Sequence, residues 1–275
     1  MIEKAENTFI VPTIFFHPHL ESCLKSIHDH NENFRLIHID QSNDPKVEAL
    51  GKKYAHLYIK SYRNLGFAKA MNTGIKLADT PYVTLCNDDV DFISKRWFID
   101  LKKILDKKKT AKPEEYEFLA INTASIKCLG HPECDLGPYQ EQYSDEDYDK
   151  LLVPRKGYHP DHIFEGSMMF CTVFHKSAFD IVGLLDEGYF PGGAEDYDWC
   201  RRCYQAGYRY VSYNKALTYH HWMTSRNHVR PSEEDYAKYQ KWGSGADKWG
   251  YGEGDTDIYG RKGGKKDIPT IEMPL

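Results

Sequence analysis

The sequence predicts an α/β fold with a central, mainly parallel sheet flanked by helices, and three observations carry that expectation. Short apolar, β-rich runs alternate with helical patterns over the first half of the 275 residues, as βαβ units do. The polar residues that close those runs, Asp40, Arg63-Asn64 and Asn87-Asp88-Asp89, fall beyond the carboxyl ends of the strands, where such sheets bind ligands. A chain that is 41% hydrophobic and 14% aromatic can fill the core of one large domain.

In chain order, Phe9 to Phe16 is the first strand-like run and a helical pattern follows from His19 to about His28. Phe34 to Ile39 is the second strand and ends at Asp40. Asn43-Asp44-Pro45 opens a helix with proline in its first turn. His56 to Ile59 is the third strand. Phe67, Ala70, Met71, Gly74, Ile75 and Ala78 then repeat at helical spacing. Tyr82 to Cys86 is the fourth strand, before a Lys-rich helix over 94–109.

The second half is less regular. Gly130 to His162 is polar, rich in Tyr, Asp, Glu and Pro, and reads as a long loop region with little core of its own. Phe164 to Val173 regains apolar character, and Lys176 to Leu184 reads as helical. Asp196 to Ala206 is a firmer helix capped by Gly207, with Trp199, Cys203 and Ala206 as its buried stripe. Tyr208–Tyr213 and Ala216–Tyr219 read as two strands. Ser232-Glu233-Glu234-Asp235 suggests a capped helix reaching Trp242, followed by a Gly-rich charged tail over 243–275.

A net charge of −5 gives no global field for nucleic acid or anionic membrane. No run approaches the roughly 20 apolar residues of a membrane span. The stretch from Met1 to Asn7 lacks the basic start and apolar core of a signal peptide. Seven cysteines form no regular framework, and the Cys200/Cys203 pair has no second pair with which to hold zinc. A reducing, cytoplasmic setting is the expectation.

The triplet Asn87-Asp88-Asp89 reads two ways. Asn and Asp favour turns, but adjacent carboxylates at a strand exit also suggest a divalent cation. Four further features follow the same order along the chain: Asp40, Arg63-Asn64-Leu65-Gly66-Phe67, Gly193-Ala194-Glu195-Asp196-Tyr197-Asp198, and His220-His221.

In that order the five features resemble the inverting glycosyltransferases of family 2, from about Phe9 to Trp242. The resemblance implies a GT-A fold: a Rossmann-like sheet in one catalytic domain over 1–242, then a C-terminal helix plus tail. The nucleotide-sugar-binding half would span 1–110. The acceptor-side half would span 111–242 and contain the insert 130–162. It implies that Asp40 accepts a hydrogen bond from the donor's base, flanked by Pro12 and Thr13, although a turn Asp would look the same. Asn64 and Gly66 would let the backbone approach the nucleotide, or would simply begin a helix. Arg63 would contact the diphosphate or stay a surface charge. Asp89 matches the last acid of the Asp-x-Asp motif, Asp88 points toward the ribose, and Asn87 stands where an Asp is frequent, which weakens the metal grip.

His220 would complete the metal sphere, with His221 as the alternative. Asp196 would be the general base that takes the proton from an acceptor hydroxyl, with Glu195 as its competitor and Asp198 orienting neighbours. The implied cofactor is Mn²⁺ or Mg²⁺. The implied partners are a nucleotide-sugar donor, a UDP-sugar foremost, and a saccharide or glycan acceptor ahead of protein or modified DNA. Two other functions compete. A sugar-1-phosphate nucleotidyltransferase would carry a Gly-rich basic loop after the first strand, where Phe16-His17-Pro18-His19 stands. A catalytically degenerate glycan- or nucleotide-binding module would not need Asp89, Asp196 and His220.

Overall fold

The computed structural model describes residues 5–126, 136–137, 139–140, 142–155, 158–165, 168–193, 195–222 and 270–271. The first half follows its expected order: β1 (Asn7–Thr13), α1 (Leu20–Asp29), β2 (Phe34–Asp40), α2 (Pro45–Tyr54), β3 (Leu57–Lys60), α3 (Phe67–Leu77) and β4 (Tyr82–Cys86). Asp44 caps α2 by accepting from Lys46 N at 2.8 Å, and Pro45 fills the first helical position. The second half contains β5 (Val90–Phe92), α4 (Arg96–Leu105), β6 (Phe118–Ser125), α5 (Asp145–Leu151), β7 (Ile163–Glu165), β8 (Cys171–His175), α6 (Ala178–Ile181), α7 (Glu195–Gln205), β9 (Arg209–His220) and β10 (Thr270–Ile271).

One sheet runs β10-β7-β9-β6-β8-β4-β1-β2-β3, with β5 paired to β9. Strands β4, β1, β2 and β3 are mutually parallel. Beyond β4 the sheet is mixed: β8 is antiparallel to both β4 and β6, while β6 and β9 are parallel. Successive side chains of β1 serve opposite faces, so Phe9 and Val11 join one core and Ile10 the other. The first core packs α1 and α4 through Leu24, Trp97 and Leu101. The second packs α3 and α7 through Met71, Ile75 and Trp199.

The structure corrects the reading of the second half. The insert is not a plain loop. It forms α5, whose Ser144 and Asp147 make reciprocal capping bonds. It also buries Tyr148 and Tyr158 in a third core with Ile126 and Leu217. The two strands expected over 208–219 are one strand, β9, interrupted by a register shift where Ala124 pairs Leu217 after Thr123 pairs Tyr213. The bulge strands backbone groups that the insert then satisfies. Tyr148 Oη donates to Lys215 O at 2.7 Å and accepts from Leu217 N, and Tyr158 Oη donates to Asn214 O at 3.1 Å. On α7 the buried stripe is Trp199, Cys200 and Cys203, whereas Ala206 is exposed. The helix expected over 232–242 and most of the tail lie outside the described residues. Thr270–Ile271 pairs antiparallel with β7.

Candidate functional site

A cavity of about 260 Å³ opens beyond the carboxyl ends of β1, β2 and β4. Pro12 reaches it from β1, Ile14 and Gln41 from just beyond β1 and β2, and Asn64 and Gly66 from the turn before α3. Asn87, Asp88 and Asp89 line it after β4. Glu195, Asp196 and the segment Pro191 to Gly193 close one side, with His220 and Trp222 at the exit of β9.

Residues far apart in sequence meet here because of one short pairing. Strand β5 starts one residue after Asp89 and runs antiparallel to β9, with Val90 opposite His220. The imidazole Nε2 of His220 thereby lies 3.1 Å from Asp89 Oδ1, and both side chains are buried. The His220 ring is fixed by aromatic packing, stacked on Phe170 at 4.8 Å and beside Trp222 at 4.1 Å. His220 Nδ1 has no hydrogen-bond partner among the described residues. His221 is committed elsewhere: its Nε2 pairs with Asp91 Oδ2 at 2.9 Å and its ring stacks on His19.

The Asp89–His220 pair suits a divalent cation. Two adjacent ligands of an octahedral ion sit roughly 3 Å apart, close to their separation here. Among the described residues no group of three His, Cys, Asp or Glu side chains is placed to hold a metal. Among the described residues this pair would offer two donors, and water and phosphate oxygens would supply others, as is usual for a hard cation on a phosphate substrate.

Asp88 lies 3.3 Å from His17 Nε2. Burial pushes the His17 imidazole down, but the Asp88 and Asp89 carboxylates outweigh it and leave the pKa raised. Asn87 is anchored through its backbone, with N donating to Phe170 O at 2.8 Å. Cys86 Sγ bonds to the Asn87 carbonyl from below.

Gly66 has φ +77°, and a Cβ there would lie 2.9 Å from the Phe190 ring and 3.1 Å from Pro191 O. Phe67 N donates to that same carbonyl at 2.7 Å. The turn of the first half and the loop carrying the acids of the second half thus clasp each other through the backbone. Asn64 Oδ1 accepts from Gly66 N at 2.8 Å and shapes the turn. Glu195 is buried and accepts a bond from Gly193 N, which ties its carboxylate to the loop. Asp196 is only half-buried, its Oδ1 accepting from Tyr197 N at 2.9 Å. Asp198 holds Arg202 Nε at 2.8 Å, and that guanidinium also bonds Val182 O and Leu184 O.

Three expected donor residues do not line the cavity. Arg63 is exposed. Thr13 is buried, with its Oγ1 3.0 Å from His38 Nε2. Asp40 is fully buried and bonded to Ser42, Tyr58 and Lys60. In their place the structure brings in Gln41, Phe67, Phe170 and Trp222. Gln41 had a signal in the sequence, as the polar residue directly after Asp40. Phe170 had none, because it reaches the site only through the pairing of β8 with β4.

No helix among the described residues is long and apolar enough to cross a membrane. No curated protein matches the chain by sequence. Residues 8–111 match the family described as Glycosyl transferase family 2. The fold is similar to a mannosyltransferase, PcManGT, from Pyrobaculum calidifontis, solved with GDP-Man and Mn²⁺: TM-score 0.54, 16% identity, 86% of this chain and 60% of that one. It is also similar to residues 1–349 of S. aureus TarS, solved with UDP-GlcNAc: TM-score 0.56, 15% identity, 86% of this chain and 64% of that one. The chain thus spans less than two thirds of either structure. Residues 8–111 are thus similar to that family, and the fold over the described residues is of the GT-A type.

Proposed function

We propose that the chain transfers a sugar from a nucleoside-diphosphate sugar to a hydroxyl of a saccharide or glycan acceptor, with inversion at the anomeric carbon. The observation that supports this best is the meeting of Asp89 and His220 in a cavity that also presents Asp196. A divalent cation held by that pair would neutralise the charge that grows on the departing diphosphate. The imidazole nitrogen disfavours Mg²⁺, which takes oxygen ligands, so Mn²⁺ is the expected ion of the two.

The remaining work falls to the chain's own residues. Asp88, braced by His17, faces the ribose side of the donor. Asp196 takes the acceptor proton as the new bond forms, being the more accessible of the two acids at the start of α7. Glu195 holds the loop rather than the acceptor. One displacement with a carboxylate base inverts the configuration. A reducing, cytoplasmic setting fits the buried free thiols of Cys23, Cys86, Cys171, Cys200 and Cys203.

A panel of nucleotide sugars, followed by calorimetry and donor hydrolysis with and without Mn²⁺, tests the reading. Asp89→Ala is expected to abolish metal-dependent donor binding. Asp196→Asn is expected to retain donor affinity and lose at least about 100-fold in turnover. Normal turnover by Asp196→Asn would move the base elsewhere.

A further inference from the structure

The end of β2 presents two adjacent polar residues whose surroundings differ sharply. Asp40 is fully buried and its oxygens are occupied. Oδ1 accepts from Ser42 N at 2.8 Å and Ser42 Oγ at 2.7 Å, and Oδ2 accepts from Tyr58 Oη and Lys60 Nζ, each at 2.7 Å. A carboxylate has about four lone-pair sites, so these four donors leave none for a ligand. Lys60 also neutralises its charge.

Gln41 is the opposite case. It lines the cavity beside Pro12, Asn64 and Gly66. Its Oε1 accepts from Leu65 N at 2.7 Å. A backbone N–H can only donate, so this contact fixes the amide's orientation: oxygen on the turn, NH₂ on the other side. The side chain is therefore a rigid donor at the cavity's edge. Strand β2 is separated from β4 by β1 alone, so Gln41 and Asp88-Asp89 stand about two strand spacings apart, roughly 10 Å. That separation suits a nucleoside diphosphate whose phosphates lie at the acids and whose base lies at Gln41.

We infer that Gln41, and not Asp40, reads the base of the donor nucleotide, by donating its amide N–H to a keto oxygen; this rests on the nucleotide-sugar reading above. Uracil O4 and guanine O6 accept at that position, whereas cytosine N4 and adenine N6 are themselves donors. An NH₂ held toward an amino group leaves two donors facing each other, with neither satisfied by the other. The chain should therefore prefer UDP to CDP and GDP to ADP, whichever base size the cavity accepts.

The test is calorimetric titration of the full chain with UDP, CDP, GDP and ADP in the presence of Mn²⁺. UDP is expected to bind at least about tenfold more tightly than CDP, or GDP than ADP. Gln41→Glu keeps an acceptor for Leu65 N while turning the donor into an acceptor, so the keto-over-amino ratio is expected to fall about tenfold or to reverse. Gln41→Leu is expected to bring the ratio near one. Asp40→Asn, if it folds, is expected to lose thermal stability and to keep the ratio. Equal binding of keto and amino nucleotides by the wild type would overturn the inference. So would a ratio unmoved by both Gln41 variants, or one moved by folded Asp40→Asn. If none of the four nucleotides bound, the nucleotide-sugar reading and this inference would fall together.

Discussion

The first and second halves of the molecule are built by different rules. From β1 to β4 strands and helices alternate, and neighbours in the sheet are mutually parallel, in the order β4-β1-β2-β3. Beyond β4 the sheet is assembled from strands distant in sequence, β6 beside β8 and β9 beside both β6 and β7, and β9 is bulged. The first half places Asn64, Gly66 and Asn87-Asp88-Asp89 at the cavity through local pattern. The second half delivers Glu195, Asp196 and His220 to the same cavity through long-range pairing. The site exists only where the two constructions touch, so it can be broken within either half or at the contact between them.

The largest effect is expected at that contact. Gly66→Val places a branched side chain at φ +77°, where its Cβ would meet the Phe190 ring at 2.9 Å. Relief requires the Pro191 segment to withdraw from α3, and the adjacent acids move with it. Turnover is expected to fall at least about 100-fold, because displacement of reacting groups by an ångström is enough for that. If donor hydrolysis persisted near the wild-type rate, the clasp would be irrelevant to the site.

Within the first half the weak point is a buried imidazole. His38 is wholly buried, and burial pushes its pKa down to about 4, with nearby Asp40 opposing. The unfolded chain's imidazole protonates near pH 6.5, which the folded protein resists, so stability is full above that pH and declines as pH falls toward 4. The slope is about 1.4 kcal/mol per pH unit, or about 3 kcal/mol over the interval. Denaturant titrations from pH 7 to 4.5 should show this decline, and His38→Gln should flatten it. Equal slopes in the two proteins would assign the pH dependence to other groups.

How much of each half is legible from sequence follows from the same contrast. The strands and helices through β4 could be read because period and caps are local signals: the α3 stripe from Phe67 to Ile75, and Asp44-Pro45 at α2. Asn87-Asp88-Asp89 was legible as a strand exit, and the structure brings Asp89 to His220 rather than to His221. What was not legible depends on tertiary pairing. Val90–Phe92 is a strand because β9 lies beside it. Trp222 and Phe170 join the site through the strands that carry them. Nothing local reveals that Tyr58 and Lys60 from β3 bond the oxygens of Asp40.

In the second half the weak point is the bulge. Tyr148→Phe removes the hydroxyl that serves both Lys215 O and Leu217 N, leaving those groups unpaired beneath a buried ring. A cost of about 2 kcal/mol is expected. The loss should appear in chemical denaturation at pH 7, and hydrogen exchange should show it concentrated in β9. A cost below about 0.5 kcal/mol would mean that the insert covers the bulge without supporting it.

The smallest expected effect bears on whether the insert belongs to the second half's cooperative unit. Ser144 Oγ accepts from Asp147 N at 3.1 Å, and Asp147 Oδ2 accepts from Ser144 N at 3.1 Å, closing the first turn of α5. Ser144→Ala removes one of those bonds and should cost about 1 kcal/mol. A seven-residue helix is not stable alone, so α5 persists by packing Tyr148 against Ile126 and Leu217. If that packing couples it to the sheet, the melting temperature of the whole domain should drop by about 2–4 °C. If the insert opens independently, hydrogen exchange should speed up only within residues 145–151 while the global transition stays put. The first outcome makes the insert a structural part of the half that supplies His220. The second makes it an appendage, and Tyr148→Phe would then also lose its expected effect on β9.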